Sequence, residues 1–216
     1  MSLVIFSCSP RPEKTSNTAA IVNAFKDGYG ENVEVCYLYK HGEWDNFREV
    51  FAENNAFIFA MPLFVECIPG LLMEFLESLA PKNDSAHKTE IGFILQGGFE
   101  EACQLRTCEK YLEKLPSYLG CEYMGTLIKG GMFALTVVSE KSRKKMLKPF
   151  YEWGVVYARE GVFDKEAVSK FAAPERYSKA MCFLIKLLTP VTAVAWVFMS
   201  RKFGAKDKLD ARPYQI

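Results

Sequence analysis

Residues 56–61, Ala-Phe-Ile-Phe-Ala-Met, form an unbroken apolar run between Asn54-Asn55 and Pro62. A strand with one wet face alternates apolar and polar residues, whereas a short continuous run has both faces buried, as in the middle of a parallel sheet. Four further runs have strand character: residues 3–6, 33–39, 90–95 and 123–128. Helical spacing separates them. One pattern opens near Ser16, carries Ala20, Ile21 or Val22, and Phe25, and stops at Gly28 and Gly30; another sets Trp44, Phe47, Val50 and Phe51 on one face over 44–54. Further helices are expected over 71–79, 101–119 and about 140–160. The spacing predicts an α/β chain: a doubly wound five-stranded parallel sheet, order 2-1-3-4-5, with right-handed crossovers. In that order the switch point lies between strands 1 and 3, so a ligand meets the loops after strands 1, 3 and 4. The expected organisation is one domain over 1–178, followed by an apolar helical extension and polar tail over 179–216.

Charge and cysteine usage exclude several classes of function. Lys plus Arg number 27 against 26 Asp plus Glu, so no basic face is expected for a nucleic acid, nor the acidic surface with which an electron carrier docks on redox partners. The seven cysteines include no CxxC pair and read as free thiols in a reducing cytoplasm. Cys103 and Cys108, five apart, suit one core and one surface thiol better than a cluster that needs about four ligands; no metal is expected. The apolar run at residues 1–7 is short and has no basic stretch before it, so secretion is not expected. His41 and His87 fall in polar loops without the partners of a triad, and no G-x-S-x-G elbow is present. No side chain is singled out as a catalytic acid, base or nucleophile.

Residues 8–18, Cys-Ser-Pro-Arg-Pro-Glu-Lys-Thr-Ser-Asn-Thr, deliver hydroxyls, an amide and two cations to a helix N-terminus, where unpaired N–H groups and the helix dipole favour an anion such as phosphate. Ser16 or Asn17 could equally serve as a simple N-cap. Ser9-Pro10-Arg11 followed by Ser16-Asn17-Thr18 resembles the S-P-R-x-x-x-N-T loop of the NADPH-dependent FMN reductase family, flavodoxin-like NAD(P)H oxidoreductases. The resemblance implies a flavodoxin-like fold and FMN phosphate held by Ser9, Arg11, Ser16, Asn17 and Thr18. Cys8 replaces the family's glycine, and the loop is a residue or two longer than common versions. Pro62-Leu63-Phe64-Val65, continuing to Pro69, is similar to the family's P-x-Y-x-x-x-x-P segment under the flavin ring, with Pro62 fixing the turn and Phe64 in place of tyrosine. Phe64 could instead plug the core, and Glu66 and Cys67 read as solvated charge and loop packing. Gln96-Gly97-Gly98-Phe99 resembles the family's G-F/Y-x-E turn, its paired glycines admitting a ligand close to the backbone. The likeness covers about residues 3–131 and, more loosely, reaches 177. No cysteine occurs over 40–55, where a neighbouring iron–sulfur branch carries its cluster segment.

What the resemblance implies is an FMN-dependent enzyme with NAD(P)H as transient hydride donor. Its electrons would go to a small acceptor such as a quinone, a nitro-aromatic or free flavin, and the assembly would be a homodimer. The competing readings are a flavodoxin-type electron carrier and a flavodoxin-fold interaction protein that has lost flavin. Residues 181–200 are mostly apolar, but Lys186 and Pro190 weigh against a membrane span. A buried or dimer-forming helix is the first expectation there, and peripheral membrane contact the second.

Overall fold

The computed structural model describes residues 2–82 and 88–205; His87 and the polar tail from 206 lie outside them. Strand β3 (Ala56–Pro62) is buried at every position but its first, and so is β4 (Glu90–Gln96), as both-face burial in a parallel sheet requires. With β1 (Leu3–Ser7), β2 (Val33–Tyr37) and β5 (Glu122–Lys129) they form one sheet in the order β2-β1-β3-β4-β5, all pairs parallel. The doubly wound sheet and its order are those expected from the spacing, and the fold is the flavodoxin-like one that the resemblance implies.

Register places Phe6 opposite Phe59 and Phe59 opposite Phe93. Their rings follow one another across one face, 4.9 Å and 6.1 Å between centroids, and Tyr123 of β5 continues the row 6.2 Å beyond Phe93. Helices α2 (Trp44–Glu53) and α3 (Gly70–Glu77) cover this face: Phe47 and Phe75 lie against Phe6, and Trp44 meets Phe75 edge-on. The Trp44 indole N–H donates to the Leu38 carbonyl at 2.9 Å, so its one polar atom is satisfied in the core.

On the opposite face α1 (Asn17–Tyr29) packs on α5 (Glu140–Glu160). Two glycines make the crossing possible. A Cβ on Gly28 would stand 1.9 Å from the Tyr151 carbonyl oxygen, and one on Gly154 would stand 2.1 Å from that of Phe25. Tyr157 and Phe163, with rings 4.5 Å apart, fill the space beside Gly92 of β4.

Two elements depart from the sequence reading. Helix α4 (Arg106–Tyr118) begins later than expected, because Glu101 is extended and Ala102–Gln104 form a separate 3-10 turn. The Ala102 and Cys103 N–H groups donate to the carbonyls of Pro174 and Glu175 instead of starting a helix. An additional helix, α6 (Lys165–Ala172), is capped by Asp164 and packs on β5; only Val168 and Ala172 are buried in it, so its apolar stripe is too thin to stand out in the sequence.

Cys8, Cys36, Cys108 and Cys121 are buried and Cys67 and Cys182 exposed, all as free thiols. Burial pushes the Cys36 and Cys108 thiols up to about 12 and that of Cys121 to about 11, so these three are protonated at neutral pH.

The chain divides into two units, Met1–Arg176 and Tyr177–Ile216. Among the described residues the second unit holds α7 (Lys179–Lys202), whose N-cap Ser178 accepts from the Met181 N–H. It bends by 65° between Lys179–Pro190 and Thr192–Lys202. Among the described residues no single helix is long and apolar enough to cross a membrane, and these two segments meet that test only together.

Gly154→Ala is expected to destabilise the protein by about 1–3 kcal/mol, since backbone must move to admit the methyl group. Gly42→Ala, where nothing lies within 4 Å, should stay within about 0.5 kcal/mol of the parent. Urea midpoints at constant slope measure both, and equal midpoints would contradict the tight crossing.

Candidate functional site

Three strands end side by side on one edge, Ser7 of β1 and then Pro62 of β3 opposite Gln96 of β4. The loops that follow build a cleft there. Cys8 closes the first strand: its N–H donates to the Ala60 carbonyl at 2.8 Å and its thiol to the Phe6 carbonyl at 3.2 Å. Burial pushes that thiol well above its ordinary value. The cysteine in the family's glycine position thus points into the core and does not line the cleft. Ser9 follows, its hydroxyl accepting the Arg11 N–H at 3.2 Å. The loop then holds a single 3-10 turn, Glu13–Thr15.

Ser16 does not line the cleft. It is the N-cap of α1, and its hydroxyl accepts the Ala19 N–H at 3.1 Å. This is the N-cap role that the sequence also offered for Ser16. The cap leaves the N–H groups of Asn17 and Thr18, the first two of the helix, without an acceptor among the described residues. The Asn17 amide donates to the Met132 carbonyl and the Thr136 hydroxyl at 3.0 and 2.9 Å. The Thr18 hydroxyl, buried, accepts from Gln96 at 3.4 Å.

Pro62 ends β3 and does not make the turn expected of it; Leu63 N–H still donates to the Gln96 carbonyl at 2.8 Å. The reversal is a two-residue hairpin in which Phe64 and Cys67 exchange both backbone hydrogen bonds, at 3.0 and 2.9 Å. Its central residues, Val65 and Glu66, have φ of 47° and 62°, a left-handed conformation that side chains other than glycine and asparagine resist, a β-branched one most of all. Phe64 is half-exposed and does not plug the core. In the third loop Gly97 is buried and its missing Cβ leaves room for Leu105, so it serves packing, whereas Gly98 faces the cleft.

Ser9, Arg11, Asn17 and Thr18 from the first loop, Pro62, Leu63 and Phe64 from the second, and Gln96 and Gly98 from the third line one cleft of about 220 Å³. Val65, Gly97 and Phe99 line a neighbouring hollow of about 490 Å³ with Glu66 and Gln104, and Leu63 and Gly98 border both. The first cleft alone is smaller than the roughly 300–1,000 Å³ usual for a ligand site; the second extends it. Phe133 and Thr136 also line the first cleft. They come from a 3-10 turn, Met132–Thr136, after β5, which the sequence reading left out. The available signal was Gly130-Gly131: a Cβ on Gly130 would meet the Phe99 carbonyl oxygen at 2.3 Å, and Gly131 has φ of 74°. These glycines fold the fourth loop against the third.

A hollow of about 580 Å³ lies elsewhere, beside α4, β5 and α6. Its lining mixes Arg106, Lys110 and Lys165 with Glu109, Glu113 and Asp164, and Arg106 is held by Glu109 and Glu175 at 2.8 and 2.7 Å. Among the described residues no three His, Cys, Asp or Glu side chains are placed to hold a metal ion. His41 is exposed beside the Trp44 ring.

No protein-family model and no curated protein matches the sequence. Solved structures do share the fold. An FMN-dependent NADH-azoreductase from Bacillus anthracis, solved in complex with FMN, aligns over 80% of this chain and 100% of its own, with TM-score 0.52 and 15% identity. An NADPH-quinone reductase from P. pentosaceus aligns over 71% and 98%, with TM-score 0.54 and 14% identity. An NAD(P)H:quinone oxidoreductase from Methanothermobacter marburgensis aligns over 71% and 96%, with TM-score 0.54 and 16% identity. Likeness at this level of identity establishes the architecture, and chemistry has to be argued from the site.

The hairpin yields a stability prediction. Replacing Val65-Glu66 with Asn-Gly, the pair that favours two left-handed residues, is expected to stabilise the protein by about 1 kcal/mol. Val65 is 98% exposed and gives up no packing. A midpoint in urea that falls or stays put would contradict the left-handed turn.

Proposed function

We propose that the chain is an FMN-dependent oxidoreductase that takes hydride from NADH or NADPH and passes electrons to a small acceptor. The observation that carries this reading is the convergence, in one cleft, of two open N–H groups at the start of α1 with Ser9, Arg11, Thr18, Gln96 and the half-exposed Phe64. The donor set fits a phosphate monoester. Two helix N–H groups, neutral hydroxyls and one guanidinium supply donors without any carboxylate lining the cleft. Ser9 and Arg11 would hold the phosphate together with the Asn17 and Thr18 N–H groups, and Phe64 would lie against the ring.

Bound FMN would supply the hydride and electron chemistry, so the absence of a catalytic acid or base from the cleft is compatible with the reading. The chain's own part is binding and orientation. Gln96, held against Thr18, directs an amide at the cleft, and the apolar surfaces of Leu63, Phe64 and Phe133 keep water from one side of a planar ligand. The fold shared with the azoreductase solved with FMN, and the resemblance of the three loops to FMN reductases, support the same reading.

The test is the absorbance spectrum of purified protein mixed with FMN, desalted, and then given NADH or NADPH without oxygen. A retained flavin band that bleaches with either nucleotide is the expected result. A retained band that neither nucleotide bleaches indicates an electron carrier and overturns the enzyme reading, and a colourless protein overturns the site. Arg11→Ala should weaken FMN binding about tenfold, equivalent to about 1.4 kcal/mol; Phe64→Ala should weaken it by about 0.5–1.5 kcal/mol, both by fluorescence titration.

A further inference from the structure

Between Ser178 and Ala205 the sequence holds Lys179, Lys186, Arg201 and Lys202 and no acidic residue, in a chain whose charges otherwise nearly cancel. Helix α7 carries these cations along with large exposed apolar side chains: Phe183 and Leu187 before the bend are 70% and 66% exposed, Val194 and Phe198 after it 71% and 75%. In the first segment Lys179, Cys182, Lys186 and Thr189 recur at i, i+3, i+7 and i+10, which is one polar stripe on an otherwise apolar helix. The second segment is apolar from Ala193 to Met199 and ends in Arg201-Lys202.

The bend decides between lying on a bilayer and crossing it. Pro190 has no N–H to give the Lys186 carbonyl, so a carbonyl deprived of its regular helical donor and an ammonium group share the polar stripe beside the 65° turn. At the middle of a bilayer both would sit in hydrocarbon, at a cost of several kcal/mol; at the headgroup level both meet water and phosphate. Each segment is about 17 Å long at 1.5 Å per residue, roughly half of the hydrocarbon thickness of about 30 Å. The hydroxyls of Thr192 and Ser200 donate to the carbonyls of Thr189 and Val197 at 3.0 and 2.9 Å, which lets them enter an apolar layer already satisfied. Pairing with a second copy of the helix would bring four cations against four with no acid to offset them.

We propose that α7 is an in-plane anchor that docks on an anionic lipid surface, with Lys179, Lys186, Arg201 and Lys202 at the headgroups and Phe183, Leu187, Val194 and Phe198 in the acyl boundary. The proposal does not depend on the flavin reading. It is tested by sedimenting the full-length protein with vesicles of phosphatidylcholine alone or containing roughly one-third phosphatidylserine, at about 0.1 M salt.

The expected result is recovery with the anionic vesicles only and release as salt approaches about 1 M. Lys179→Gln with Lys186→Gln should weaken partitioning about fivefold per cation removed, and Phe183→Ser with Leu187→Ser should abolish it. Both pairs are exposed, and an unchanged circular dichroism spectrum verifies the fold. Equal recovery with neutral vesicles would overturn the charge recognition. Retention through salt and alkaline carbonate would mean a span and overturn the in-plane arrangement. Failure to bind any vesicle while the protein sediments as a dimer would give the helix to a second copy.

Discussion

The in-register contact of Phe6, Phe59 and Phe93 across three parallel strands is the constraint on which the first unit rests. A parallel strand displaced by one residue would turn its whole apolar set to the opposite face, and three neighbouring rings at matching positions make such a slip expensive. Because the register is held, β1, β3 and β4 finish together. Their following loops therefore open on one edge, at the point where the strand order reverses.

That edge is held as a unit by hydrogen bonds between loops. Leu63 is tied to Gln96, Gln96 to Thr18, Asn17 to Met132 and Thr136, and Gly131 to the Phe99 carbonyl. The Asn17 side chain spends its amide on the neighbouring loop while its backbone N–H stays open at the helix start, so a single residue braces the cleft and presents a donor to it. The hairpin at Val65-Glu66 runs against local preference: two left-handed residues stand where glycine or asparagine would be easier. Strain of this kind gathers at functional sites, and here it holds Phe64 at the mouth of the cleft.

The two units meet their apolar surface in different ways. In the first, helices α1 and α5 approach closely through Gly28 and Gly154, and aromatic side chains fill both faces of the sheet. In the second, a bent helix displays its apolar residues alongside cations without acids. Burial drives the one. The other has the composition of a surface that finds its cover in a third phase.

Five strands, their order and the three loops that line the cleft were legible in the chain, because both-face burial leaves continuous apolar runs and helix ends leave glycines and capping residues. Of the loop residues read as a site, Ser9, Arg11, Asn17, Thr18, Pro62, Leu63, Phe64, Gln96 and Gly98 come together in one cleft. Ser16 did not, and no spacing rule could tell a cap from an anion contact, since both ask for a hydroxyl at the same helix start. Phe133 and Thr136 went unseen because their approach depends on Gly130 lying against the Phe99 carbonyl, a contact between residues about thirty apart in the chain. The late start of α4 has a similar origin, backbone groups of 102 and 103 being satisfied by carbonyls at 174 and 175. Local pattern thus determined by itself the five strands and most of the helices, because burial and capping act over a few residues. Tertiary structure alone decided which donors stay open and which side chains line the cleft, because those depend on partners distant in sequence.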